Sequence, residues 1–475
     1  MKLSKEVLEI INKIESNGYT VSVVGGCVRD FLLGKDSKDV DLATSAPYDK
    51  ITEWFECDVV GASFGVAKVK TTNGYIDVAQ YRADSEHDGR HCVTKTVSSF
   101  EEDCLRRDLT INAIAYNPTN GFIDYVGGIV DLQNSIVRFI GEPEERITED
   151  YLRMLRFVRI GLQSFDKPIF ESSSFNSVIS NMYKVRQLSK ERTVAEFVKI
   201  LRLISFENLT KQTIKLLNIM AYEIFQCDGF AYWKAEDYEQ NSKYHDCTLD
   251  LHTFYAIATF NNFRKVQDFS DSEVDAMLLA LILHDVGKPA TAKINPSTGF
   301  TSYIGHEISS YNVAKVVFDE VLKVPNAVKT MALSLIKRHI SIINNTKEDA
   351  MRNVVLFRIF DTQNFERLVY LQLVFKLCDK SGRVSDEAKI EAFRSFNEYS
   401  ILLNEAYDSV AEINAMLPLG EIAHRLKNKE YTKEIAYQIH KKMTKTSYTK
   451  EALLGMVKGF DRIDILEKKH KNKNR

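Results

Sequence analysis

Long apolar runs, paired cysteines and proline are scarce in this chain of 475 residues. It has no run of 18 apolar residues, so no membrane-spanning helix is expected. The seven cysteines include no C-x-x-C pair, which argues against a disulfide framework and is typical of a reduced, cytoplasmic protein. Only eight prolines interrupt the chain, which favours a largely helical protein. Residues Met1–Glu6 predict the start of an amphipathic helix and not a signal peptide.

Charge is ordinary in amount but uneven in distribution. Charged residues make up 27% of the chain and the net charge is −2, values typical of a soluble globular protein. Residues 421–475 hold 15 Lys or Arg against 7 Asp or Glu and end in the basic run Lys468–Arg475. Such a tail would neutralise nucleic-acid phosphates. A solvated helix end has the same composition, so the tail alone does not decide between the two.

Hydrophobic periodicity changes near residue 140. Before it, a helical stripe at Leu8 is followed by predicted strands at Thr20–Val24 and Asp39–Ala43 and by a hairpin, Ala67–Thr71 and Tyr75–Tyr81, around Asn73-Gly74. We therefore predict an α+β head built on a small mixed sheet.

Beyond residue 140, helical periodicity dominates and an all-α remainder is predicted. The clearest helices are predicted at Glu149–Ile160, Glu191–Ile204 and Val274–His284. A polar stretch, Tyr238–Lys243, is interpreted as a linker.

The first chemically informative motif is a glycine turn followed by two carboxylates. Gly25-Gly26 leads from a predicted strand into a helix, where backbone N–H groups can approach phosphates. Asp39 and Asp41 alternate in the next predicted strand and would face one side of it. Two carboxylates there suit Mg²⁺. The spacing G-x-G-x-x-G is absent, which excludes a dinucleotide-binding turn.

Three further features offer polar groups suited to a nucleotide. Asp77 is a third carboxylate, which would complete a metal site, position an attacking hydroxyl or simply face solvent. The block Arg106–Asn112 places two guanidiniums beside groups that suit phosphate and ribose. Asp150 and Arg153 are expected at i, i+3 on one helix face, where they would match the edge of a base or form a surface ion pair.

Together these features resemble the class II CCA-adding tRNA nucleotidyltransferases and their poly(A) polymerase relatives over about residues 20–205. The motifs that carry the resemblance are Gly25-Gly26-Cys27-Val28-Arg29-Asp30, Asp39-Val40-Asp41, Asp88-Gly89-Arg90-His91, Arg106-Arg107-Asp108, Asp124-Tyr125, Gly127-Gly128, Glu149-Asp150-x-x-Arg153 and Leu188-Ser189-Lys190-Glu191-Arg192-x-x-x-Glu196.

The resemblance implies template-independent addition of C, C and A from CTP and ATP to the 3′ end of tRNA, with Mg²⁺ bound by Asp39 and Asp41. Asp77 stands where the family usually carries Glu. The segment 88–91 falls in the loop associated with the switch from C to A, which favours full CCA addition. Asp150 and Arg153 would accept C or A and reject G and U. The implied nucleotide-binding residues are Gly25, Gly26, Arg29, Asp88, Arg90, Arg106, Arg107, Asp108, Asn112, Asp150, Arg153 and Arg156.

A second motif lies in the helical half. His284-Asp285 follows an apolar stretch, with His252 upstream and Asp379 downstream. This order, H…HD…D, resembles that of HD-domain metal-dependent phosphohydrolases. The resemblance implies that these four residues bind a divalent metal, whose identity the sequence does not give.

His306 and His339 fall within the same span. They would extend the site to a second metal, contact a phosphate or only pack in the core. By the same resemblance, HD domains attached to CCA-adding enzymes hydrolyse phosphoesters such as 2′,3′-cyclic phosphates at RNA ends. The alternative is an HD fold that docks tRNA with little catalysis.

The predicted domains are the nucleotidyltransferase head at 1–140, a helical neck for nucleotide selection and RNA binding at 141–235, the HD domain at 236–400 and a basic helical tail at 401–475. Three functions remain open: a CCA-adding enzyme with added phosphohydrolase activity, a poly(A) polymerase of the same superfamily, and an HD phosphohydrolase or RNA-binding protein with a silent head. The intact Asp39 and Asp41 argue against a silent head.

Overall fold

The structure, a computed structural model, describes residues 1–37, 39–58, 65–72, 74–85, 93–226, 238–242, 246–341, 346–347, 350, 354, 365–416, 421 and 449–460. The chain forms two compact units: residues 1–227 with 321–323, and the rest of 228–475. Asp88, Arg90 and the basic run 468–475 lie outside the described residues. Among the described residues, no helix has both the length and the apolar character needed to cross a bilayer.

The described part of the first unit contains eleven strands, most of them in one mixed sheet. Its strands are β1 (Val21–Val24), β2 (Asp41–Thr44), β3 (Cys57–Asp58), β4 (Val66–Thr71), β5 (Gly74–Gln80), β6 (Arg82–Ser85), β7 (Val93–Thr96), β8 (Ala115–Asn117), β9 (Gly121–Ile123), β10 (Ile136–Val137) and β11 (Ile169–Phe170). Seven of them form one sheet in the order β3-β4-β5-β2-β1-β8-β9. β2 and β5 are parallel, and the other neighbours in that sheet are antiparallel.

Burial explains why β1 lies inside the sheet. All four of its residues are buried, and valine favours such a surface. A turn follows immediately, in which Gly25 has φ +80°, a conformation that side chains other than glycine adopt rarely. The turn directs the chain into the helix Gly26–Leu32, so the end of β1 and the start of that helix meet beside β2.

Helices complete the first unit. They are Lys5–Ser16, Gly26–Leu32, Tyr48–Trp54, Phe100–Leu105, Gly128–Gln133, Pro143–Glu149, Leu152–Ser164, Ser172–Asn181, Lys190–Leu201 and Lys211–Ile224, with 3₁₀ turns at Thr110–Asn112 and Met182–Gln187.

The described part of the second unit is almost entirely helical. Its helices are Leu249–Phe263, Asp271–Leu283, Lys288–Thr291, His306–Glu320, Asn326–Arg338, Phe365–Ser381, Asp386–Met416 and Lys450–Phe460, with a 3₁₀ turn at His339–Ser341. A short hairpin pairs β12 (Lys293–Ile294) with β13 (Thr301–Ser302). The predicted fold class, an α+β head followed by a helical remainder, is confirmed.

The apolar helix Asp271–Leu283 positions the second motif. Nine of its 13 residues are buried, on all sides of the helix, which is typical of a helix at the centre of a unit. His284 and Asp285 follow its last residue and are therefore buried as well.

Three local predictions are wrong. The predicted strand at 39–43 begins at Asp41, and Asp39 precedes it. The predicted helix at 149–160 is broken, because Asp150 is extended (φ −154°, ψ 109°) between two helices and its carboxylate accepts the N–H of Leu152 at the start of the second. Within the predicted linker 238–243, the described residues 238–242 are not simply a linker, because Gln240 is buried in the second unit.

Candidate active sites

The three predicted carboxylates of the head come together. Asp41 and Asp77 are direct partners in the parallel pairing of β2 and β5, and Asp39 lies two residues before Asp41. All three line one cavity of about 760 Å³. A Cβ atom at Gly25 would lie 3.9 Å from Oδ2 of Asp41, so the glycine turn lies at the same place.

Burial and mutual repulsion both act on this carboxylate cluster. Burial, Asp77 and Asp39 together raise the pKa of Asp41, and Arg107 and Lys68 oppose the rise. Lys68 Nζ donates to Asp77 Oδ1 at 3.0 Å, a pair that follows from their direct register in the antiparallel hairpin. Three carboxylate oxygen donors with excess negative charge fit a hard divalent cation such as Mg²⁺.

Arg106 and Arg107 both pair with a residue that the sequence reasoning missed. Asp103 is fully buried, and it accepts from Arg106 Nε at 2.9 Å and from Arg107 Nη2 at 2.8 Å. Burial alone would raise the pKa of Asp103, but the two guanidiniums hold it below its usual value. The i, i+3 and i, i+4 spacing of these residues is the signal that could have revealed the cluster.

Five further residues form a continuous chain of hydrogen bonds across the head. Arg156 Nε donates to Asp108 Oδ2 at 2.7 Å, and Asn112 Nδ2 donates to Asp108 Oδ1 at 3.4 Å. Arg29 Nη1 donates to Asn112 Oδ1 at 2.7 Å, and its Nε donates to Asp30 at 2.9 Å. Four predicted nucleotide-binding residues, Arg29, Asp108, Asn112 and Arg156, are therefore rigidly linked.

Asp150 and Arg153 do not form the predicted pair on one helix face. The guanidinium of Arg153 pairs with Glu149 and donates to the carbonyl of Arg106 at 3.1 Å. Nη2 of Arg192 lies 3.8 Å from Oδ2 of Asp150. Asp150 and Arg153 do not share one helix face, because Asp150 ends the first helix and its carboxylate accepts the N–H of Leu152 at the start of the second.

The second site brings together four histidines whose Nδ1 atoms each face a backbone carbonyl. Each Nδ1 lies 2.6–2.8 Å from a backbone carbonyl oxygen. The pairs are His252 with Gly382, His284 with Leu281, His306 with Tyr303, and His339 with Ile336. A carbonyl oxygen can only accept, so in its neutral form each ring carries its proton on Nδ1 and presents a lone pair on Nε2. This tautomer is the one that metal-binding histidines use.

Asp285 lies at the centre of these rings. Its Oδ2 is 3.1 Å from Nε2 of His284 and 3.5 Å from Nε2 of His252. Its Oδ1 is 3.2 Å from Nε2 of His306 and 3.8 Å from Nε2 of His339. The predicted ligands therefore form two overlapping groups, one on each oxygen of a shared carboxylate.

Asp379 completes the first group. Its Oδ1 lies 3.1 Å from Nε2 of His252 and 3.4 Å from Nε2 of His284. All six residues predicted from the sequence thus meet at one place.

The pKa shifts of two histidines and the buried polar atoms without hydrogen bonds are both consistent with bound cations at this site. Burial would lower the pKa of His284, but the Asp285 carboxylate raises it to about 10. Burial and the neighbouring His284 lower the pKa of His339 to about 4. Within the described part of the chain, neither oxygen of Asp285 nor Nε2 of His284 makes a hydrogen bond of good geometry, although all are buried. Buried polar atoms of this kind need a partner, and beyond the ion pair of Asp285 Oδ2 with Lys288 a bound cation would supply it.

Sequence reasoning missed two residues beside Asp285. Lys288 Nζ lies 2.6 Å from Asp285 Oδ2 and donates to Gln240 Oε1 at 2.9 Å. The carbonyl of Gln240 accepts from the hydroxyl of Tyr303 at 2.5 Å. The position of Lys288, three residues after Asp285, could have indicated the contact, whereas nothing local to Gln240 indicates it.

Comparison with known proteins places the head in a family. Residues 21–138 match the model of the poly A polymerase head domain. The chain is 39% identical over 200 residues to the CCA-adding enzyme of Ligilactobacillus salivarius strain UCC118, covering 42% of this chain and 49% of that protein. The head is thus similar to that of the class II CCA-adding enzymes and poly(A) polymerases. The predicted resemblance to this family is thereby confirmed.

A second curated relative matches a similar share of the chain. The CCA-adding enzyme of Staphylococcus aureus strain MRSA252 is 35% identical over 226 residues, 46% of this chain and 56% of that protein. The chain thus spans about half the length of the curated relatives it matches.

Solved structures match over more of the chain. The Bacillus stearothermophilus CCA-adding enzyme in complex with CTP has a TM-score of 0.58 at 21% identity and covers 99% of both chains. A CCA-adding enzyme with ATP has a TM-score of 0.54 at 17% identity and covers 97% of both chains. At these identities the likeness establishes the fold alone.

Proposed function

We propose that this protein is a CCA-adding tRNA nucleotidyltransferase that adds C, C and A from CTP and ATP to the tRNA 3′ end. The observation that carries the proposal is the convergence of Asp39, Asp41 and Asp77 on one cavity beside the glycine turn. The names of the relatives that match the head support the same activity. A poly(A) polymerase of the same superfamily is the alternative.

Asp39, Asp41 and Asp77 would hold Mg²⁺, which supplies charge neutralisation at the reacting α-phosphate. The backbone at Gly25 and Gly26 leaves room for the triphosphate. Because the reaction requires little covalent chemistry from the protein, the main contribution of the protein is to position the reacting groups.

Nucleotide selection is proposed for the neck. Arg153 is fixed by Glu149 and by the carbonyl of Arg106, so its guanidinium has a defined position. Asp108 and Arg156 lie in the hydrogen-bonded chain described above. We propose that Arg153, with Asp150, reads the base and that Arg106 and Arg107 contact the triphosphate while Asp103 holds them in place.

The chemistry is tested by incorporation of labelled CTP into a tRNA transcript without its CCA end. Asp41→Asn is expected to lower the rate on the order of 10²–10³-fold, because it removes a carboxylate from the metal site. Asp49→Asn, an exposed carboxylate elsewhere in the head, is the matched control and should be unchanged. Equal rates for wild type and Asp41→Asn would contradict the proposal.

A second activity, metal-dependent phosphoester hydrolysis, is proposed for the HD site. Support comes from the four Nε2 atoms and two carboxylates around Asp285 and from its buried oxygens. His252, His284 and Asp379 would hold one divalent cation and His306 and His339 the other, with Asp285 between them.

The protein's own residues fix this geometry. The backbone carbonyls orient the rings, and Lys288 holds Asp285 from one side. The cations would polarise a phosphoryl oxygen and lower the pKa of a bound water.

Metal content tests this second proposal in the Asp39→Ala/Asp41→Ala background, so that the head does not contribute. After equilibration with Mn²⁺ and dialysis, we expect two ions per chain, one in His339→Gln and none in Asp285→Asn, by plasma mass spectrometry. The rate of bis(p-nitrophenyl) phosphate hydrolysis should decrease in the variants that bind less metal. Asp386→Asn, an exposed carboxylate of the same unit, should retain both ions. The same metal content in Asp285→Asn as in its parent would refute the assignment.

A further inference from the structure

The cavity at the HD site has a part that the metal ligands do not explain. It measures about 930 Å³, within the range of about 300–1,000 Å³ typical of small-ligand sites. Asp285, His306, His339 and Asp379 line one side of it. The other side consists of the β12–β13 hairpin, the segment that follows it and the last turns of the helix Phe365–Ser381.

Exposed apolar side chains line this second side. Phe300, in the hairpin loop, is 44% exposed, and Ile304, just after β13, is 88% exposed. Both border the cavity that contains the metal ligands. An exposed aromatic face beside a polar centre suits a planar, partly apolar group such as a nucleobase, and stacking of this kind is worth about 1–3 kcal/mol per base.

Lys380 supplies a positive charge in the same cavity. It follows the metal ligand Asp379 directly on the helix Phe365–Ser381, and both side chains line the cavity. Its Nζ donates to Ser395 Oγ at 3.1 Å, and among the described residues no carboxylate lies within ion-pair distance of it. An ammonium group held by a hydroxyl, without a carboxylate partner, is suited to a phosphate.

Glu307 offers a hydrogen-bond acceptor. Its side chain borders the cavity, and its Oε2 is buried with no hydrogen-bond partner in the described part of the chain. The Nδ1 atom of His306 lies 4.0 Å from this oxygen, beyond hydrogen-bond distance. A buried carboxylate oxygen without a hydrogen bond needs a donor, and ribose hydroxyls are donors.

We propose that Phe300, Glu307 and Lys380 form a nucleotide subsite beside the HD metal ligands. The base would lie against Phe300, a ribose hydroxyl would donate to Glu307, and a phosphate other than the one hydrolysed would bind Lys380. The site would therefore take a phosphoester within a nucleotide in preference to a small phosphomonoester. This inference rests on the proposed phosphohydrolase function, whose substrate class it narrows.

Binding without metal separates this subsite from hydrolysis. Titration calorimetry in the presence of EDTA would compare uridine, uridine 5′-monophosphate and the dinucleotide UpU, because the head is proposed to reject uridine nucleotides. For wild type we expect the monophosphate to bind roughly tenfold more tightly than the nucleoside, the effect of one charged hydrogen bond.

Variants assign the parts of the subsite. Lys380→Gln should remove the preference for the phosphate, and Lys380→Arg should retain it, which separates charge from folding. Phe300→Ala should weaken all three ligands roughly fivefold or more. Lys265→Gln and Phe393→Ala, the latter 43% exposed elsewhere in the unit, are matched controls and should bind as wild type does.

The outcomes are distinct. Equal binding of uridine and its monophosphate by wild type, or an unchanged preference in Lys380→Gln, would overturn the subsite. Tight binding of UpU indicates an RNA end as the source of the nucleotide, and binding of the monophosphate alone indicates a free nucleotide. If the predicted binding pattern holds while the metal-loaded protein hydrolyses no phosphoester, the proposed hydrolysis fails and the subsite stands.

Discussion

At the scale of single residues, buried charges in the head are arranged around Asp103. This carboxylate is fully buried between Arg106 and Arg107. Removal of one partner from a buried ion pair leaves the other charges without compensation, at a cost of about 3–5 kcal/mol. Asp103 therefore stabilises the head and holds two proposed phosphate ligands at once.

Asp103→Asn is expected to lower the free energy of unfolding of the first unit by about 3 kcal/mol at pH 7. The folded pKa of Asp103 lies below the unfolded value of about 3.9. Its contribution is therefore complete above about pH 4 and is lost as the pH falls through the folded pKa. Urea unfolding from pH 7 to pH 3 should show the difference from wild type shrinking below pH 4.

Asp166→Asn, an exposed carboxylate of the same unit, should unfold as wild type does at every pH. A difference for Asp103→Asn that stays constant down to pH 3 would contradict this account.

Sequence predicted residues well where a motif and a local period coincide. The motif brought Asp39 and Asp41 together, although Asp39 precedes the strand. The order of the HD motif placed His252 and His284, whereas His306 and His339 were indicated only by their position in the same span. Gln240 was missed because its contact with Lys288 spans 48 residues. Asp103 was missed although its spacing to Arg106 and Arg107 is local, because it lies outside the motif that contains the two arginines.

At the scale of elements, the glycine that begins the helix Gly128–Gln133 fixes the position of the 3₁₀ turn Thr110–Asn112. A Cβ atom on Gly128 would lie 2.2 Å from the backbone oxygen of Thr110. This backbone carries Asn112, a member of the hydrogen-bonded chain in the head. Close packing of two backbones thus positions a proposed nucleotide ligand.

Gly128→Ala is expected to destabilise the first unit by about 3 kcal/mol, because a backbone oxygen cannot rotate away from the added methyl group. Gly455→Ala is the control. A Cβ atom there meets nothing within 4 Å, so the helix Lys450–Phe460 should gain up to about 1 kcal/mol. Thermal unfolding followed by circular dichroism measures both, and a wild-type melting temperature for Gly128→Ala would show that the contact is not restrictive.

Helix prediction failed where a cap was involved. Residues 149–160 have continuous helical periodicity, yet Asp150 ends one helix and caps the next. Aspartate competes for backbone N–H groups in this way, and periodicity alone does not detect it.

At the scale of the whole molecule, the two proposed sites belong to different compact units. The head carboxylates lie in the first unit and the HD ligands in the second. The sequence predicted both the carboxylate site of the head and the HD site, because each has its own motif. The domain boundaries at 140, 235 and 400 remain predictions.

Separate units predict separable activities. Asp285→Asn should remove phosphoester hydrolysis and leave nucleotide incorporation within about twofold of wild type, because the substitution removes no group from the head. Asp41→Asn should do the reverse. Loss of both activities in either variant, with folding intact by circular dichroism, would contradict separate sites.

The most direct test of the central claim is the sequence of the product made on a tRNA transcript that lacks its CCA end. With Mg²⁺, CTP and ATP, the account predicts addition of C, C and A followed by arrest, and CTP alone should give two cytidines. Asp39→Ala/Asp41→Ala should add nothing. Unlimited adenylate from ATP alone would identify a poly(A) polymerase instead, and no incorporation by wild type would contradict the proposed function of the head.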